Sequence, residues 1–322
     1  MGVGRQPTHP VGGGDYPRTL QEFNARFPSE ADCRAYLVGL RWPVGFRCPT
    51  CSGRKAWGTA GGHLHCSGCQ RRTSCTAGTI FEGTRKPLRL WFMAMWYVTS
   101  QKNGGSALGL KRLLGLGSYQ TAWSWLHKLR RAMVRPGRDR LRGRVEVDEC
   151  YVGGIEEGAD GRGTENKAIV AIAVEMLHPR GFGRIRLQQV PDVSGASLTR
   201  FVSDSVKPGS LVHTDGWSGY RGISKLGYER EVSILATSNE LAHVEMPGVH
   251  RVASLLKRWL LGTHQGAVSK KHLGYYLDEF VFRFNRRTST ARGLLFYRLM
   301  QQAVQVDPVP FATLVKGPTP NR

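Results

Sequence analysis

The chain has 322 residues, with 46 Lys and Arg against 24 Asp and Glu and a formal net charge of +22. Its 40% hydrophobic content excludes wholesale disorder, and its length lets it bury a core without disulfide stapling. The charge excess points to a polyanion, either nucleic acid or an anionic membrane surface. The longest apolar run, residues 168–174, falls far short of the ~20 residues of a spanning helix, which disfavours a membrane partner.

The first twenty residues lack the apolar core of a secretory signal, so a cytoplasmic location is expected. In that compartment the seven Cys serve as metal ligands or ordinary thiols rather than disulfides. Residues 1–28, rich in Gly and Pro, are expected to be a flexible tail. Over residues 29–40 the spacing of Cys33, Tyr36, Leu37 and Leu40 predicts a helix capped by Ser29.

A zinc ribbon is predicted over residues 29–83. Cys48-Pro-Thr-Cys51 is followed after 14 residues by Cys66-Ser-Gly-Cys69. Two such knuckles complete a tetrahedral Cys₄ zinc site with no open position, so the metal is structural. Its binding supplies on the order of 10 kcal/mol toward folding the module. His63 and His65 lie near enough in sequence to stand in for a ligand. Cys33, Cys75 and Cys150 have no paired spacing and read as buried small apolar residues. Arg47, Arg54, Lys55, Arg71 and Arg72 would surround the ribbon with positive charge suited to DNA phosphate.

Residues 84–137 read as a helical DNA-binding domain. Leu88, Trp91, Phe92, Met95 and Trp96 form one apolar stripe. Two further helices meet at residues 114–118. Leu108, Leu110, Leu113 and Leu114 supply one apolar face, and Trp123, Leu126 and Leu129 the next. This pattern suits a helix-turn-helix whose second helix enters the major groove. Ser118, Tyr119, Gln120 and Thr121 would open that helix, with Arg130 and Arg131 near its end. Ser118, Gln120, Arg130 and Arg131 are the candidate DNA contacts.

Beyond a basic linker at residues 135–144 the period changes. Strands are predicted from Val145, at 168–176, at 184–190 and at 210–214, with helices at 197–206, 249–261 and 269–286. That order suggests a mixed sheet with helices packed on it, a domain over 138–300, followed by an irregular tail at 301–322 containing four Pro. Asp148 and Asp215 each close an apolar strand. Two carboxylates converging on one sheet edge would hold Mg²⁺, a hard ion that prefers oxygen ligands. Glu149 should point to the opposite face. In 273–284, Tyr276, Phe280 and Phe284 read as core, and Asp278 and Glu279 as solvated or paired with Arg283.

The ordered set CPTC…CSGC, TAGTIFEGTRKPLRLWF, VEVDECYVGG, HTDGWSGY, LLKRWLLGTHQG and HLGYYLDEFVFRFNRR resembles the DDE-type transposases of insertion sequences that carry an N-terminal zinc ribbon. The resemblance spans about residues 30–300. It implies an α/β multi-domain protein: a zinc ribbon and helix-turn-helix, then a ribonuclease-H-like mixed sheet with packed helices. It further implies binding of inverted-repeat ends and target DNA, Mg²⁺-dependent strand cleavage, 3′-hydroxyl strand transfer, and a homodimer or larger assembly. Asp148 and Asp215 match the first two acidic ligands. The family places a Glu seven residues before a Lys or Arg on one helix, but here His250 stands seven before Lys257. His250 therefore takes the third position, a change that shifts preference from Mg²⁺ toward Mn²⁺; were His250 only a helix-start residue, Glu245 or Glu240 would supply the oxygen instead. Lys257 and Arg258 would contact phosphate near the scissile bond. The competing classes are a zinc-ribbon DNA-binding regulator without catalysis and a ribonuclease-H-like nuclease without strand transfer.

Overall fold

The computed structural model describes residues 9–59, 62–135, 137–154, 167–233 and 242–317. The chain divides into two compact units, one running to Arg135 and including Ser289–Val315, the other Pro136–Thr288 with the residues from Lys316. Among the described residues no helix is long and apolar enough to cross a membrane.

In the first unit, α1 (Leu20–Arg26) lies within the segment expected to be a tail. Phe23 and Phe27 account for it: both are fully buried, 5.1 Å apart edge to face, and both pack on Phe296. A seven-residue helix with so few apolar positions carries too little periodicity to be seen in the sequence. The next helix, α2 (Glu30–Arg41), starts where expected, with Ser29 and Asp32 exchanging side-chain and backbone hydrogen bonds in a capping box. β1 (Ala56–Gly58), β2 (His63–Cys66) and β3 (Arg72–Ser74) then form an antiparallel sheet in that order.

Three helices follow: α3 (Leu88–Ser100), α4 (Ala107–Leu114) and α5 (Tyr119–Ala132). α3 buries Leu88, Trp91, Phe92 and Met95, and Trp91 stacks on Trp125 of α5 at 3.9 Å. Gly115, left-handed at φ 61, ends α4, and Ser118 caps α5. The apolar face of α4 is narrower than expected. Leu110 and Leu114 are buried, but Leu108 and Leu113 are 45% and 54% exposed. At 100° per residue, Leu108 sits about 160° round the helix from Leu110, so the four leucines cannot share one face. On α5 the buried row is Ala122, Trp125, Leu126 and Leu129, with Trp123 half-buried beside it.

In the second unit, β4 (Arg144–Val152), β5 (Ala168–Met176) and β6 (Phe182–Val190) form an antiparallel meander. α6 (Gly195–Ser205) leads to β7 (Leu211–Asp215), which pairs parallel with β4. A 3₁₀ segment, Ser218–Leu226, leads to β8 (Glu229–Ser233), parallel to β7, giving the mixed order β6-β5-β4-β7-β8. β8 escapes sequence reading because Glu229, Arg230 and Glu231 give an edge strand no apolar alternation. α7 (Ala242–Glu245), α8 (Pro247–His264) and α9 (Leu273–Phe284) complete the unit. Proline at the first position starts α8 two residues before the expected helix.

The strands sort their side chains by parity. Val145, Val147, Ala171 and Ala173 pack with Leu198, Phe201 and Val202 of α6. Cys150, Val170, Ile172 and Val174 pack with Val249, Val252 and Leu256 of α8 and with Leu277 and Phe280 of α9. β5, buried on both faces, is the near-continuous apolar run expected of a central strand.

The chain then returns to the first unit as α10 (Arg292–Ala303) and α11 (Phe311–Lys316). Phe296 of α10 packs among Phe23, Phe27, Phe92 and Trp96. The residues from Ser289 thus join the N-terminal unit, where linear order had grouped them with the sheet. The C-terminal segment expected to be irregular contains α11, which buries Leu314.

Candidate active site and zinc centre

The ribbon brings Cys48, Cys51, Cys66 and Cys69 together with all four sulfurs within 4.8 Å of one another, the one such set of three or more His, Cys, Asp or Glu among the described residues. Cys48 and Cys69 sulfurs lie 3.6 Å apart, and those of Cys51 and Cys66 3.4 Å. Zinc–sulfur bonds of about 2.3 Å in a tetrahedron put sulfurs about 3.8 Å apart, so this cage fits zinc.

The two knuckles are built alike. Ser52 and Gln70, each following the second Cys of its pair, are left-handed at φ 60 and 59. Their amides donate to the Cys48 and Cys66 carbonyls, both at 2.9 Å. Amides of Cys51 and Thr50 point at the Cys48 sulfur and bring its thiol down to about 6, and amides of Cys69 and Gly68 lower Cys66. A side chain at Gly53 would crowd the Cys51 and Cys66 sulfurs at 3.3 Å. His63 and His65 are not ligands. His65 stacks on Trp57 and His63 faces Arg72. Cys33, Cys75 and Cys150 are buried as expected, and burial pushes the Cys33 and Cys150 thiols up to about 12.

The second site grows from the parallel pairing of β4 and β7. Glu146 lies opposite His213 in register. Two residues further along each strand, on the same face by strand parity, come Asp148 and Asp215. The Asp148 carboxylate accepts the Glu149 amide at 2.8 Å, and that of Asp215 accepts the Trp217 amide at 3.0 Å. Glu149 turns to the other face as expected, where its carboxylate accepts the Tyr220 hydroxyl at 2.9 Å. Burial raises the Tyr220 phenol, and the charges of Glu149, Asp148 and Asp215 raise it further, so this one hydroxyl senses all three carboxylates.

Glu146, which the sequence did not mark, is buried and accepts the amides of Gly248 and Val249 at 2.7 and 3.0 Å. The first turn of α8, with half-buried His250 next in line, is thereby fixed on the face of β4 that carries Asp148. Lys257 is exposed, seven residues along α8. Its charge acts on Cys150 of β4 against the effect of Asp148, which places both charges near that thiol. His213 is also buried: its Nε2 meets Ser233 Oγ at 2.8 Å, its Nδ1 meets Arg144 at 3.3 Å, and Ser233 Oγ donates to Glu245 at 2.8 Å. The alternative donor Glu240 lies outside the described residues.

The basic candidates separate by exposure. Arg71, Arg72, Gln120, Lys257 and Arg258 are exposed, and Arg131 is half-buried. Ser118 Oγ caps α5 and donates to Gln120 Oε1 at 2.7 Å. Arg130 is 2% exposed, which removes it as a phosphate contact. It stands four residues after Leu126, on the same buried face of α5. In α9, Glu279 pairs with Arg283 at 2.8 Å, and Tyr276, Phe280 and Phe284 are core.

Comparison with known proteins assigns two segments of the chain to domain families. Residues 140–285 match the ISXO2-like transposase domain and residues 28–72 the transposase zinc-ribbon domain. A protein in transposable element ISH50 of Halobacterium salinarum is 28% identical over 276 residues, covering 80% of this chain and 91% of the relative.

Proposed function

Because the chain belongs to the insertion-sequence transposases that pair a zinc ribbon with an ISXO2-like transposase domain, we propose that it binds the inverted-repeat ends of its own element, cleaves them and joins the 3′ ends to target DNA. In this reading the second unit is a ribonuclease-H-like catalytic domain, with Asp148, Asp215 and His250 as its divalent-ion ligands. The observation that supports it is the parallel register of β4 and β7, which pairs Glu146 with His213; Asp148 and Asp215 each follow two residues later on the same face of their strands.

Two carboxylates and an imidazole suit Mg²⁺ or Mn²⁺, the imidazole favouring Mn²⁺. Such ions, when bound, activate the attacking oxygen and stabilise the leaving oxygen of a phosphodiester. A two-ion site does not require every ligand on the same ion, so the three side chains need not all meet within the spacing that the cysteines show. Lys257, on the His250 face of α8, holds phosphate beside the scissile bond, with Arg258 next to it. α4 and α5 act as the helix-turn-helix, presenting Ser118 and Gln120, with Arg131 and the ribbon arginines Arg71 and Arg72 adding phosphate contacts. Paired ends call for a homodimer or a larger assembly.

The test is incubation of the purified chain with labelled inverted-repeat DNA and Mg²⁺ or Mn²⁺. Cutting and joining are expected. Cutting without joining would make it a nuclease, and binding with neither a regulator. Asp148→Asn, Asp215→Asn and His250→Ala should each lower cleavage by more than the roughly 100-fold that loss of an outer-shell metal partner can cause, while end binding survives. Full cleavage by His250→Ala would move the third ligand elsewhere, with Glu245 the first alternative.

A further inference from the structure

The outer face of the ribbon carries an aromatic row that zinc binding does not use. Trp57 on β1 lies directly opposite His65 on β2, and His65 lies directly opposite Arg72 on β3. Facing partners project to the same side of a sheet, so these three side chains form one line across all three strands. His63, two residues before His65, joins the same face, with Arg72 Nη2 3.5 Å from its Nδ1. The Trp57 and His65 rings stack at 5.3 Å with 22° between their planes, yet Trp57 remains 47% exposed. Arg54, Lys55, Arg71 and Arg72 around it are all exposed.

We propose that this row is a binding site for single-stranded DNA, with an unstacked base lying on Trp57 and the flanking phosphates held by Arg72, Lys55 and Arg54. An indole backed by an imidazole is a rigid platform, and every base offers a π-face to such a surface. A duplex offers only base edges and phosphates, which an exposed indole does not recognise. The surrounding positive charge selects a polyanion over an apolar peptide. The inference rests on DNA as the partner but not on Asp148, Asp215 or His250. It therefore stands or falls separately from catalysis.

The test uses the full chain with its zinc, without added Mg²⁺ or Mn²⁺ so that nothing is cut. Anisotropy of labelled single-stranded and duplex oligonucleotides of one sequence is compared. Trp57→Ala should weaken single-strand binding roughly 5- to 100-fold and leave duplex binding within about twofold and zinc content intact. Trp57→Phe, which keeps a ring, should retain most of the affinity. Arg72→Ala should lower the single-strand salt slope by about 0.7, a change that Trp57→Ala should not produce. Unchanged single-strand binding by Trp57→Ala, or an equal loss on both DNA forms, overturns the proposal.

Discussion

Glu146 in β4 and Val249 in α8, 103 residues apart, are joined by a hydrogen bond of 3.0 Å from the Val249 amide to the buried carboxylate. The same oxygen accepts the Gly248 amide. A helix N-terminus has amides without intrahelical partners and a partial positive charge, and a buried carboxylate satisfies both. Burial raises the Glu146 carboxyl, while the two amides act against that rise. The bond ties the strand bearing Asp148 to the helix bearing His250 and Lys257.

Removing that tie should be expensive. Glu146→Ala leaves two buried amides without their acceptor and is expected to cost about 2–5 kcal/mol of unfolding free energy. Gly248→Ala attacks the same contact from the other side. A Cβ there would lie 2.8 Å from both Glu146 Oε2 and Met176 Sδ, and about 1–3 kcal/mol is expected from the forced shift. Urea denaturation measures both. Midpoints equal to wild type would show that α8 is held by its apolar face alone.

What the sequence disclosed and what it hid follow from the range of the interactions. The zinc cage was legible because tetrahedral thiolate chemistry constrains residues only a few positions apart. The cap at Ser29 was legible for the same reason, as were strands with apolar alternation. Asp148 and Asp215 stood out as carboxylates expected to close apolar strands; Asp215 does close β7, whereas β4 runs on to Val152 and holds Asp148 mid-strand. Glu146 did not, because its role depends on a helix start about a hundred residues away. Arg130 looked like a surface charge until the neighbouring helices covered it. Phe296 gave no sign that its helix would cross back to Phe23 and Phe27, since periodicity reports a face and not its partner.

Zinc removal should unfold the ribbon and leave the second unit folded. Its three short strands enclose little apolar surface, so the metal carries the module, with about 10 kcal/mol at stake. Chelation is expected to release one zinc per chain, and Cys48→Ser to lose it. Proteolysis should then cut between residues 46 and 83, while fragments from the β4–α9 region stay protected. A ribbon that remains resistant after complete zinc loss would contradict the metal's structural role.

Acidification should weaken the β7–β8 edge through His213. Ser233 has one hydroxyl proton and gives it to Glu245, so His213 Nε2 donates to Ser233 while Nδ1 accepts from Arg144. That arrangement requires a neutral ring, and burial lowers its pKa in the folded chain. The unfolded chain takes up the proton near pH 6.5. Between that value and the lower folded pKa the unfolded state binds more protons, so stability falls as pH falls. Melting temperatures of wild type and His213→Gln should converge as pH drops from about 7 to 5. Parallel curves would show that His213 does not titrate on unfolding.

Lys257 should act as a phosphate contact and not as a structural group. It is exposed on α8, and seven residues from His250 leave the two side chains on nearly one face, about 10 Å apart along the axis. Lys257→Ala should therefore keep wild-type stability and zinc content. Its affinity for end DNA should drop, and the slope of log affinity against log salt should fall by about one unit. Arg258, turned 100° round the helix, should give a similar slope change with a smaller loss of cleavage, because it points away from the His250 face. A Lys257→Ala protein with an unaltered slope would mean that α8 meets DNA through other residues, and Asp148 would then have to receive the phosphate from a different side.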